Sequence, residues 1–188
     1  MNRNILVNQG LFQLCWPACV IGAAYGLLWP GLVVVGALVA WQLHPAHRHP
    51  ADLRLIGVAV VLGLILDGLW IRTDLMSYQL SFGDLPLAPA WILLLWIAFA
   101  LTINHSLALF KKRPLLLGLL VGIFSPISYY AGSRFGAVEW TAPAWQVAAA
   151  TSLSWALLIP LLFLLADRIA DFRPGAFRER LVEVEESE

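Results

Sequence analysis

The side chains able to do chemistry are few and sit inside apolar sequence. Asn104-His105-Ser106 sets an imidazole between an amide and a hydroxyl. Imidazole is the side chain whose ordinary titration falls nearest neutrality, so His105 is the candidate catalytic acid or base. Asn8, Gln9, Gln13 and Trp16 form a second group, in which Gln9, Gln13 and Trp16 share a helical face at i, i+4, i+7. Amides suit the polar end of an amphiphile better than a bare ion. Asp67 is isolated in hydrocarbon-like sequence and needs a cation or donors; Arg134, Tyr130 and Arg72 are the candidates at its depth. An Asp67–Arg134 structural ion pair fixing the third helix to the fifth is preferred to a proton-relay acid.

A last set follows small-residue spacing. Gly118, Gly122, Ser125, Tyr129 and Gly132 recur at intervals of four, three, four and three, which predicts a close-packed seam crossed by the Tyr129 phenol. Pro126 should kink that helix and free a carbonyl that either a serine or a ligand must satisfy. Ser125 and Tyr129 therefore join Asn8, Gln9, Gln13, Trp16 and Asn104 as candidate binding residues. Each has a plainer reading as interhelical hydrogen bonding, worth about 0.6–2 kcal/mol per bond.

The elements that must position these groups follow from composition. Of 188 residues, 60% are hydrophobic and 13% charged, with zero formal net charge and a mean hydropathy of +0.77. That is too little polar surface for a water-soluble domain. Six apolar blocks of membrane-spanning length appear, at about Ile5–Tyr25, Leu27–Leu43, Leu53–Ile71, Ala88–Phe110, Pro114–Ala131 and Trp145–Ala166. Gly26 with Pro30-Gly31 supplies the turn between the first two.

The expected fold is all-α: a polytopic membrane bundle of six transmembrane helices over residues 1–166, with a charged cytoplasmic tail over 167–188 and both termini cytoplasmic. Basic residues set that orientation, since ten of the twelve, including Arg3, Lys111, Lys112 and Arg113, then lie inside and only Arg72 and Arg134 outside. Trp29, Trp70, Trp91, Trp140 and Trp145 form an outer aromatic belt. Asn8, Gln9 and Gln13 interrupt the first block too early for a signal peptide, so it is read as a retained helix. At 1.5 Å per residue, His105 lies about 8 Å in from Phe110 and Asn8 to Gln13 about 5–12 Å in from Ile5. A polar site between the first, fourth and fifth helices follows.

Other chemistries find little support. No basic patch marks a nucleic-acid surface. Cys15 and Cys19 read as packing residues, and Thr151, Ser152 and Ser154 can bond their own helix. His44, His47 and His49 are interleaved with proline and arginine and lack a completing ligand, so no metal is expected. No soluble cofactor motif is present.

Asn8, Phe12-Gln13, Trp16, Asp67, Asn104-His105-Ser106 and the run from Ser125 to Gly132 carry a resemblance to an uncharacterised family of small bacterial inner-membrane proteins, catalogued as domain of unknown function 2878. It covers nearly the whole chain before the tail. The resemblance implies an inner-membrane location and genes near enzymes that modify membrane fatty acids. It offers no reaction and no catalytic residues to carry over. The expected partners are membrane lipids and a small amphiphilic substrate. An intramembrane protein that binds or modifies an amphiphile ranks first, ahead of a small transporter or channel and of an accessory scaffolding subunit.

Overall fold

A computed structural model describes residues 3–83 and 85–171. Six α-helices run in the order α1 Arg3–Ala24, α2 Trp29–Gln42, α3 Asp52–Arg72, α4 Ala90–Ile103, α5 Pro114–Phe135 and α6 Ala144–Asp171. Two short strands, β1 Met76–Tyr78 and β2 Val138–Trp140, pair antiparallel with Met76 opposite Trp140 and Tyr78 opposite Val138. They link the α3–α4 and α5–α6 connections at one end of the bundle. Arg54, Lys111 and Arg168 lie at the other, called here the basic end.

α1, α3, α5 and α6 are long and apolar enough to cross a membrane, and their outward faces carry residues such as Leu14, Ile65, Leu119, Ile123 and Leu157. The chain is a membrane-type helical bundle. α2 and α4 are also apolar but have 14 residues each, about 21 Å of helix, against a hydrocarbon thickness of about 30 Å.

α4 forms the centre: Ala98 through Ile103 are all buried, with α1 and α2 on one side and α3 on the other. The expected fourth helix, Ala88–Phe110, is broken. α4 ends at Ile103 and continues, after Asn104 and His105, as a 3-10 turn over Ser106–Phe110. The break frees two backbone groups that Asn8 of α1 satisfies: its Nδ2 donates to the Leu101 carbonyl (3.0 Å), and its Oδ1 accepts from the Ser106 N–H (3.3 Å).

The small-residue seam of α5 lies against α6. A Cβ added at Gly118 would sit 2.6 Å from the Ala156 carbonyl oxygen, and one at Gly122 would sit 2.7 Å from that of Ser152. Only glycine permits this approach. Pro160 cannot donate to the Ala156 carbonyl, which Gly118 covers instead. Pro126 likewise frees the Gly122 carbonyl, and the Ser125 hydroxyl donates to it at 3.1 Å. The α1–α2 turn forms around Gly26 at φ +71°, in the left-handed region. Close by, Gly31 admits the Cys19 sulfur, and both cysteines are free and buried in the core.

Two expectations about end residues are corrected. Trp70 and Trp91 do not belong to an interfacial belt. They are 3% and 1% exposed, because Trp70 stacks edge-on against Tyr129 and Trp91 donates to the Gln79 carbonyl at 2.8 Å. Trp29 and Trp145 do face outward. α6 extends five residues beyond the expected Ala166, and Lys111 pairs with Asp167 at 3.1 Å along that extension. The rest of the expected tail, from Phe172 on, lies outside the described residues.

Candidate functional site

The structure sorts the polar residues into two constellations, and the first is a knot at the basic end. Asp52, the first residue of α3, is 1% exposed. Its carboxylate accepts from the His49 N–H (2.7 Å), His105 Nε2 (2.9 Å) and Asn104 Nδ2 (3.2 Å). Gln42, the last residue of α2, accepts from Asn8 at 2.7 Å and donates to the His47 carbonyl and to His105 Nδ1, both at 3.1 Å.

The orientation of the Gln42 amide fixes the imidazole tautomer. One of its hydrogens is held by a carbonyl and its oxygen by Asn8, so the other hydrogen faces His105 Nδ1, which must accept. The His105 hydrogen then sits on Nε2 and points at Asp52. Three helices and the break after α4 meet in one hydrogen-bonded chain: Asn8, Gln42, His105, Asp52, Asn104. Burial, opposed by the Asp52 charge and reinforced by that of Lys111, lowers the pKa of His49 beside this knot.

The second constellation surrounds an elongated slot of about 400 Å³, within the range of small-molecule sites. Its wall is mostly aromatic and aliphatic. It includes Phe12, Trp16 and Val20 of α1, Trp96 and Phe99 of α4, Phe124 and Tyr129 of α5, and Trp155 of α6. Along α1 it reaches from Gln9 to Val20, about 16 Å. The lining residues Leu120, Phe124 and Ser128 are exposed on the outer surface of α5. The slot thus opens sideways, between α1 and α5, toward the surface that meets lipid.

Near its strand end the slot meets Asp67. Asp67 is 1% exposed and accepts from the Tyr78 hydroxyl at 2.7 Å and from Trp96 Nε1 at 2.8 Å. The expected Arg134 pairing is not formed; Arg134 and Arg72 are exposed, because α3 packs mainly on α4, and also on α6 and β1, rather than along α5. The Trp96 indole reaches Asp67 by lying directly on Gly63, one turn earlier in α3. β1 delivers Tyr78, whose phenol is raised well above its ordinary pKa by burial and by the Asp67 charge, so it stays a donor. On the facing side Trp155 stacks on Trp96, with ring centroids 5.5 Å apart, and its Nε1 donates to the Tyr129 hydroxyl at 3.3 Å.

Of the sequence-derived candidates, Asn8, Asn104 and His105 join the knot, while Gln9, Trp16, Ser125 and Tyr129 line the slot with Asp67. Gln13 joins neither. It is exposed, because Asn8 rather than the Gln9 face is what α1 turns toward the break in α4. His105 does not line the slot, and both its ring nitrogens are engaged within the knot. Asp52, Gln42, Tyr78 and Trp96 were missed. An acid opening a helix reads as an ordinary macrodipole partner, and strands of three residues leave no periodic trace. The spacing Ala59, Gly63, Asp67 was the available signal for a bulky side chain lying on α3 above the acid. Among the described residues no group of three His, Cys, Asp or Glu side chains is placed to hold a metal.

A family model described as protein of unknown function (DUF2878) matches residues 5–161. No curated protein and no solved structure is matched by the chain.

Proposed function

The chain belongs to the DUF2878 family, and from that premise and its own geometry we propose that it is a multi-pass protein of the bacterial inner membrane that holds an amphiphile between its helices. The observation that carries this reading is the lateral slot. Its long apolar wall suits an acyl or isoprenoid chain, and most of its polar groups, Asp67, Ser125, Ser128 and Tyr129, lie in its strand-side half where a head would stop, with Gln9 alone toward the basic end. An enzyme acting on that amphiphile would need a titrating group at the slot, and Asp67 is the residue placed there.

Closing the mouth tests the reading. Ser128 lines the slot and is exposed, so Ser128→Trp should block entry without displacing core atoms. Native mass spectrometry of the detergent-solubilised protein should find amphiphile adducts on the parent and few on the variant. Equal adduct occupancy, with an unchanged melting temperature, would remove the slot as the binding site.

The proposed topology has six spans with both termini cytoplasmic, supported by the basic end and the positive-inside pattern. A membrane-impermeant maleimide applied to spheroplasts should label Ser81→Cys beside the strands and spare Lys112→Cys; the buried native cysteines make a quiet background. The opposite labelling would invert the orientation, and labelling of both would contradict a membrane-spanning bundle.

A further inference from the structure

The residues lining the slot include one charged side chain, Asp67, and no lysine, arginine or histidine. Tyr78 and Trp96 each donate one neutral hydrogen bond to it, and no cation is paired with it among the described residues. A carboxylate has room for about four hydrogen bonds, so two bonds leave acceptor capacity over. A charge held this way in hydrocarbon is expensive unless a counter-charge is provided.

The walls beside Asp67 are what a cation prefers. Trp96 and Trp155 are stacked, Phe99 meets Trp155 edge-on, and Tyr129 adds a fourth aromatic side chain. Aromatic faces carry the negative end of the ring quadrupole and attract organic cations most strongly where water is excluded. An anionic head would meet Asp67 with no basic group to offset the repulsion.

We infer that the slot selects an amphiphile with an organic ammonium head, seated against Asp67 among the Trp96, Tyr129 and Trp155 rings, with its chain running toward Gln9 and the α1–α5 opening. This deepens the amphiphile-binding reading and rests on it. It names the head-group class that the reading leaves open.

The test uses three probes of one chain length on the full protein in a non-ionic detergent: dodecyltrimethylammonium, dodecyl sulfate and dodecanol, with binding measured by native mass spectrometry. Dodecyltrimethylammonium should bind about tenfold more tightly than dodecanol, and dodecyl sulfate more weakly than either. Asp67→Asn should reduce the ratio of ammonium to dodecanol binding to about twofold or less.

Equal binding of ammonium and alcohol by the parent protein, or preference for the sulfate, overturns the inference, and neither comparison depends on a variant that folds. If Asp67→Asn does not fold, Trp155→Leu, which removes an aromatic wall and no charge, should cut the ammonium preference several-fold; an unchanged preference also overturns it. Binding of none of the three probes would instead defeat the amphiphile reading itself, so the two failures are separate.

Discussion

Replacing Asp52 with alanine should cost about 3–5 kcal/mol, among the largest losses available from one substitution in this chain. The carboxylate is buried and accepts from three donors, on His49, Asn104 and His105. Removing it strands all three in a part-buried setting, where water can replace it only incompletely. It also loosens the start of α3, because the turn from His49 to Asp52 is closed by that side chain together with the Asp52 N–H bond to the His49 carbonyl at 3.1 Å. For a chain of this size the loss corresponds to a fall on the order of 10 °C in melting temperature, measurable in detergent by the temperature at which the soluble fraction disappears.

His105→Ala should also destabilise, and the Asp52→Ala, His105→Ala double variant should lose far less than the sum, since the two share a hydrogen bond. Additive losses would mean that the knot is not a unit. A change in amphiphile preference with His105→Ala, at unchanged stability, would return His105 to a role at the slot.

Gly122→Leu should be comparably damaging for a different reason. Here the cost comes from overpacking: the new Cβ would lie 2.7 Å from the Ser152 carbonyl oxygen and 2.9 Å from the Ala156 Cβ, so α5 and α6 must separate. A loss of about 3 kcal/mol is expected, with Gly122→Ala milder because its single methyl needs a smaller shift. Amphiphile occupancy should fall as well, since the slot depends on Tyr129 of α5 facing Trp155 of α6. Gly57→Leu is the control, because a Cβ at Gly57 meets nothing within 4 Å. A melting temperature for Gly122→Leu equal to that of Gly57→Leu would refute the seam.

The seam was legible from spacing alone because it is a property of one helix. Intervals of four and three put Gly118, Gly122 and Ser125 on one face whatever lies opposite. That the opposing surface is α6, at Ser152 and Ala156, was not legible; nothing local in α5 names its neighbour. The second amide group fared worse for the same reason. Gln9, Gln13 and Trp16 do share a helical face, yet the bundle turns only part of that arc inward and leaves Gln13 outside.

By itself the sequence determined the solvent. Its apolar blocks, its turn at Gly26 and the spacing of its small residues are local patterns, and local patterns set helices, turns and seams through backbone geometry and transfer energy. Tertiary structure alone decided the partners. A buried polar group takes whichever donor the helix order brings within reach, so Asp67 meets Tyr78 and Trp96 instead of Arg134, and His105 meets Asp52 from a helix start that looked unremarkable. The slot belongs to the same class. It exists only where five helices leave space between them, and the distances that create it run through space and leave no mark along the chain.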